Sequence, residues 1–188
     1  NMKNKKIDIK ELFYDAPEDN IESPRDTSSK ILNSIVPKTP YLIGGSADLF
    51  AANKTYINDC SDYSKDNYLG KNIFFGVREH AMAAISNGLA IHKLRPFCST
   101  FFAFVDYLKP GIRMAGLSKL PTVFIFSHDS IAVGEDGPTH HPIEQLTMIR
   151  SIPNVDVIRP ADANETKEAY NGKEAIELLE KELPDLIL

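Results

Sequence analysis

The segment FFGVREHAMAAISNGLA, residues 74 to 90, passes from an apolar strand-like run into a helix of small residues. Arg78, Glu79 and His80 stand side by side at the joint. A charge placed between an apolar strand and a closely packed helix costs free energy unless something pairs with it. Glu79 has two open readings: a cap for amide groups at the helix start, or a sheltered carboxyl group that shares a proton with a basic ring nitrogen of a ligand. A second stretch, HDSIAVGEDGPTHH (128–141), gathers His128, His140, His141, Asp129, Glu135, Asp136 and two glycines. Three of the chain's five histidines within fourteen residues suit proton handling near neutral pH. A His–carboxylate metal site is the rival, but the spacing matches no helical HExxH arrangement, and glycines around Asp136 favour backbone approaching a ligand. A solvated loop with capping acids is the plainer alternative. Phe101, Phe104 and Tyr107 recur at i, i+3 and i+6, with Phe102 beside them, directly after Ser99 and Thr100. Such a stripe at the start of a helix serves a core, or it stacks a flat heteroaromatic ring.

The elements that must carry these residues are short apolar runs: YLIGG (41–45), NIFFGV (72–77), RPFCST (95–100), PTVFIFS (121–127), NVDVIRP (154–160) and PDLIL (184–188). Helix-like segments at 79–92, 101–117, 140–151 and 164–183 lie between them, and Ser23-Pro24 opens an earlier helix with Ser as cap. Strands alternating with helices predict a three-layer α/β fold, a mainly parallel six-stranded sheet with helices on both faces. The polar, glycine and aromatic residues all follow strand ends, where an open parallel sheet forms its ligand crevice. Residues 46–71 make a connection long enough to be functional. Residues 1–22 are expected to be an N-terminal arm or linker, and 23–188 the domain.

The 188 residues are 43% hydrophobic, which suits one globular domain with a real core. A net charge of −5 without a basic stripe argues against nucleic acid as a partner. No apolar run is long enough to span a bilayer, and the start, NMKNKKIDIKELF, lacks the apolar region of a signal peptide. Cys60 and Cys98 form no spaced framework, so a reducing, cytoplasmic setting is expected.

Taken together and in order, GGSADL (44–49), FGVREHAM (75–82), STFFAFVDY (99–107), SHDSIAVGEDGPTHHPIEQL (127–146) and IPNVDVIRPADANE (152–165) resemble the pyrimidine-binding (Pyr) domain of transketolases, over roughly residues 23 to 170. The resemblance implies an enzyme that moves a two-carbon ketol unit from a ketose phosphate to an aldose phosphate, using thiamine diphosphate and a divalent metal. It implies that Glu79 hydrogen-bonds N1′ of the aminopyrimidine and favours the imino tautomer that takes the thiazolium proton. Phe101, Phe104 and Tyr107 would form the pyrimidine pocket, with Asp48 near the cofactor and the subunit contact. Arg25, His128, Asp136 and His140 would face the sugar phosphate, His128 with a catalytic part as well.

The sequence departs from the family at ADLFAAN, where Ala52 stands in place of the family's phosphate-holding Ser, and in the wording of the closing segment. It has no GDG stretch with following Asn or Glu ligands, which in this family binds Mg or Ca and the diphosphate on another domain. The chain is therefore expected to hold no metal of its own, to carry half a site, to be inactive alone, and to work as a homodimer or with a complementary transketolase subunit. Two rivals remain at this level: a non-catalytic partner-binding or relic domain, and another thiamine diphosphate enzyme such as dihydroxyacetone synthase.

Overall fold

The computed structural model describes residues 22–130, 132–171 and 185–187. Residues 1–21 of the expected arm (1–22) and the expected helix beyond Asn171 lie outside the described residues. The strands are β1 (Leu42–Ser46), β2 (Asn72–Phe74), β3 (Arg95–Phe101), β4 (Val123–Ser127), β5 (Asp156–Ile158) and β6 (Asp185–Ile187). They form one sheet in the order β2-β1-β3-β4-β6-β5, with parallel pairing throughout. The helices are α1 (Pro24–Ile35), α2 (Phe50–Asn53), α3 (Glu79–Ile91), α4 (Val105–Ser118), α5 (Gln145–Arg150) and α6 (Ala163–Asn171).

Strand alternation splits the core into two layers. Phe97 and Ile125 face one side of the sheet and pack with Leu32 and Val36 from the end of α1, and with Ile57. Cys98, Phe124 and Phe126 face the other side, against Met82 and Ala83 of α3, Leu108 and Ile112 of α4 and Ile149 of α5. The α/β layering thus matches the sequence expectation. Ser23 caps α1, its hydroxyl accepting from the Asp26 N–H. Residues α3 and α4 present to each other are small: a Cβ on Gly111 would lie 2.5 Å from the Ala83 Cβ.

Two element boundaries differ from the expectation. The run 140–151 is not one helix. A 3-10 turn occupies Pro138–His140, and α5 begins only at Gln145, because Pro142 has no N–H to give a helix passing through it. Phe101 belongs to β3 and is followed by a 3-10 turn over Phe102–Phe104, so the aromatic run straddles three elements instead of opening one helix. The long 46–71 connection is pinned from its far end. The Asn72 Oδ1 accepts from the Ile57 N–H at 2.8 Å, and its Nδ2 donates to the carbonyls of Ile57 (3.0 Å) and Cys60 (3.1 Å). Cys60 and Cys98 are both free thiols. Burial pushes the Cys98 thiol up to about 12.

Candidate functional site

The chain leaves β1 towards β2 on one side and leaves β3 towards β4 on the other, yet β1 and β3 are neighbours. Connections diverging from adjacent parallel strands open a crevice at their carboxyl ends. Asp48 follows β1, Glu79 follows β2, Phe101 ends β3 and His128 follows β4, so the topology brings all four to one edge of the sheet. The ends of β2 and β3 stand two interstrand steps apart, about 10 Å, across the end of β1.

The REH joint separates into three roles. Gly76 adopts a left-handed φ of 68°, which turns the chain out of the sheet. Arg78 locks that turn: its N–H donates to the Gly76 carbonyl (2.8 Å) and its Nη1 to the Phe75 carbonyl (3.0 Å). His80 points to solvent. Glu79 alone is buried, at 8% exposure. It is the first residue of α3 and caps nothing; Arg78 holds the cap position without a side-chain hydrogen bond. Among the described residues no hydrogen bond or ion pair reaches the Glu79 carboxylate. Of the two readings of Glu79, capping therefore fails, and what remains is a sheltered carboxyl group without a protein partner.

The aromatic run is ordered by the 3-10 turn. In such a turn residues three apart eclipse one another, and the Phe101 and Phe104 rings stack at 5.9 Å and 17°. Phe101 is 7% exposed and Phe104 half-buried, while Tyr107, one turn into α4, is 63% exposed. The imidazoles of the second stretch close on this stack. His128 lies 3.8 Å from Phe101 between ring centroids, and His140 lies 5.0 Å from Phe104. His128 has a left-handed φ of 56°, uncommon outside glycine, and this folds its ring back over the end of β3. Gln145 steadies the loop from below. Its Oε1 accepts from the Ile143 N–H (2.7 Å) and its Nε2 donates to Asp106 on α4 (3.0 Å). Among the described residues no group of three His, Cys, Asp or Glu side chains is placed to hold a metal ion.

Arg25, in the first turn of α1, is tied to the ADLFAAN segment: its Nη1 donates to the Ala52 carbonyl at 2.9 Å. It is near enough to His128 to act on its charge. Burial holds the His128 imidazole below its ordinary value; Arg25 and His140 add to that, and Asp136 and Asp129 oppose it. Asp136 and Asp48 are exposed at the crevice, Asp48 with a left-handed φ of 62°. Ser46, Asn53, Thr55, Ser99 and Ser127, to which the sequence assigns no role, join in one largely buried hydrogen-bonded network. Their signal was present as hydroxyls and an amide clustered just after strand ends.

The depressed His128 pKa has a consequence for stability. The unfolded chain binds a proton at this residue near pH 6.5, whereas the folded chain resists it. Stability is therefore complete above that value and falls as pH drops from about 6.5 to the lower folded value. The urea midpoint of the wild type should decline over that interval, and His128→Asn should flatten the decline. An equally steep profile in the variant would assign the effect elsewhere.

Comparison with known proteins bears on the family and the fold. The family model for the transketolase pyrimidine binding domain matches residues 23–182. The transketolase of Bacillus subtilis is 54% identical over 147 residues, 78% of this chain and 22% of that protein, and the transketolase of Geobacillus stearothermophilus is equally similar. The chain thus spans about a fifth of the length of these relatives. Among solved structures, Campylobacter jejuni transketolase superposes with a TM-score of 0.84 at 43% identity, over 96% of this chain and 27% of that one. The Pichia stipitis transketolase complex with sedoheptulose 7-phosphate gives 0.87 at 41%, over 95% and 27%. An inactive β4 tetramer of a split-gene transketolase gives 0.65 at 26%, over 87% of this chain and 50% of that one. With a domain model covering most of its length and relatives above half identity, the chain belongs to the transketolase family, as its pyrimidine-binding domain.

Proposed function

We propose that this chain supplies the pyrimidine half of a thiamine diphosphate site in a transketolase that transfers a two-carbon ketol unit from a ketose phosphate to an aldose phosphate. The observation that carries the reading is Glu79: a residue 8% exposed, whose carboxylate makes no protein hydrogen bond among the described residues, beside the crevice that the sheet topology opens. A carboxylate on a largely buried residue, without a protein partner, costs free energy that a ligand at the crevice would offset. A protonated or proton-sharing pyrimidine nitrogen answers it. Phe104, half-buried and stacked on the buried Phe101, offers an apolar surface for the same ring, with Tyr107 at the rim. The residues present therefore fit the pyrimidine end of the cofactor.

In the same proposal Mg or Ca and the diphosphate are held by a pyrophosphate-binding domain, on a longer chain or in a partner subunit. When bound, the cofactor supplies the electron sink for breaking and forming the carbon–carbon bond. In this reading Glu79 holds a proton at the pyrimidine nitrogen, and Phe101 and Phe104 exclude water from it. His128, His140 and Asp136 meet the sugar hydroxyls, and His128 takes part in proton handling there. Arg25 meets the phosphate. Ala52 contributes only its carbonyl to Arg25 and has no hydroxyl to offer that phosphate. Residues 23–188 form the domain in this proposal, preceded by an arm at 1–22.

The assembly is a homodimer or a pairing with a complementary transketolase subunit, and the setting is the cytoplasm, within the pentose phosphate pathway. Among the described residues no helix is long and apolar enough to cross a membrane. The rival readings, a relic module and a different thiamine enzyme, find no support in relatives that are transketolases by name. Mixing the chain with the pyrophosphate-binding half of a close transketolase tests the reading. Ketol transfer between sugar phosphates, followed by a coupled assay, is expected in the mixture and in neither half alone. Turnover by this chain alone, or a folded mixture that never binds thiamine diphosphate, would overturn it.

A further inference from the structure

We infer that Asn53 and Ser127 form a relay that fixes the ring proton of His128 on Nδ1 and leaves Nε2 as its one nitrogen free for a ligand. The relay follows from the directions of successive hydrogen bonds. Ser46 is fully buried, and its hydroxyl donates to the Ser99 carbonyl at 3.0 Å. Its oxygen is then left to accept, and it accepts from the Leu49 N–H and from Asn53 Nδ2, both at 3.2 Å. This sets the orientation of the Asn53 amide, which is 3% exposed: nitrogen toward Ser46, oxygen toward Ser127. Asn53 Oδ1 can only accept, so the Ser127 hydroxyl donates to it, at 2.6 Å. A hydroxyl has one proton to give. Facing His128 Nδ1 at 2.8 Å, the Ser127 oxygen can only accept, and Nδ1 must carry the hydrogen.

The chain of donors thus runs from His128 through Ser127 to Asn53, and in parallel from Asn53 through Ser46 to the β3 backbone. Each link sits on a different element: His128 after β4, Ser127 at the end of β4, Asn53 on α2, Ser46 at the end of β1. The left-handed backbone at His128 is the geometry that lets adjacent residues bond in this way while the ring covers Phe101. Asn53 and Ser127 are positioning residues. They act on a ligand only through His128, whose neutral ring offers Nε2 as an acceptor and, on taking up a proton there, as a donor to an anion. The role given to Nε2 rests on the functional reading above; the relay does not.

Long-range nitrogen–proton correlation spectra of the histidine rings in the full chain, labelled with nitrogen-15 and recorded where the rings are neutral, test the relay without cofactor. His128→Asn assigns the signal, and exposed His80 and His92 serve as references. The wild type is expected to show His128 protonated at Nδ1. Ser127→Ala and Asn53→Ala should move it toward the Nε2-protonated form that exposed imidazoles favour, and Ser127→Thr, which keeps the hydroxyl, should restore Nδ1–H. A wild-type ring protonated at Nε2 overturns the inference on its own, whether or not the variants fold. So does an unchanged Nδ1–H signal in both alanine variants. Loss of thiamine diphosphate binding in the complementation experiment would leave this spectrum untouched, so the two ideas fail separately.

Discussion

Glu79→Gln is expected to cut ketol transfer by roughly 10²–10⁴-fold in the complemented enzyme, the range a positioned proton-transfer group typically contributes, while leaving the fold intact. The substitution keeps the shape and removes only the ability to hold a charge or a shared proton. No hydrogen bond to the carboxylate is lost among the described residues, because none is made there. Thermal stability should therefore be unchanged or slightly higher, since burying an amide costs less than burying a carboxylate. That pairing of outcomes separates a ligand-facing carboxyl group from a structural one. A buried carboxylate serving as a cap would lose about 1 kcal/mol of stability on neutralisation and little activity. Coupled assays of the complemented variant, with melting curves of the chain alone, measure the two sides. Wild-type turnover in the variant would remove Glu79 from the site.

The proposed site was legible first at Glu79, because that residue breaks a local rule. A carboxylate between an apolar strand and a helix of small residues is out of place unless something meets it, and the structure keeps Glu79 largely buried with no partner among the described residues. The parallel sheet was legible from the alternation of short apolar runs with helical segments. Element ends were less so. The i, i+3, i+6 spacing of Phe101, Phe104 and Tyr107 reads as helix, yet the same spacing suits a 3-10 turn, where eclipsing is what stacks the first two rings. The polar residues Ser46, Asn53 and Ser127 were legible as a cluster near strand ends, but their bonding into one network was not. Its members lie up to 81 positions apart in the chain, and only the strand order β1-β3-β4, a tertiary fact, brings them together. The same holds for the strand order itself: hydrophobic periodicity identifies strands but carries no information on which are neighbours.

Gly45→Ala is expected to destabilise the chain by about 3 kcal/mol, the upper part of the range for forcing atoms into a packed interior. A Cβ at this position would lie 1.8 Å from the carbonyl oxygen of Ile73, its partner in the β1–β2 register. That oxygen is backbone and cannot rotate aside, so the strands must part. β2 is three residues long and has little pairing with which to resist. For a domain of this size the melting temperature should drop by roughly 6–12 °C. The damage should extend to the site, because β2 leads through the Gly76–Arg78 turn directly into Glu79. Binding of thiamine diphosphate to the complemented enzyme should weaken even below the melting transition. Gly88→Ala on α3 is the matched control: nothing lies within 4 Å of its added Cβ, so a helix-interior glycine is replaced at no steric cost. That variant should gain about 0.5–1 kcal/mol. Scanning calorimetry on both chains decides it: equal melting temperatures for Gly45→Ala and the wild type would mean that β1 and β2 do not approach as closely as the register requires, and Glu79 would lose the strand that places it.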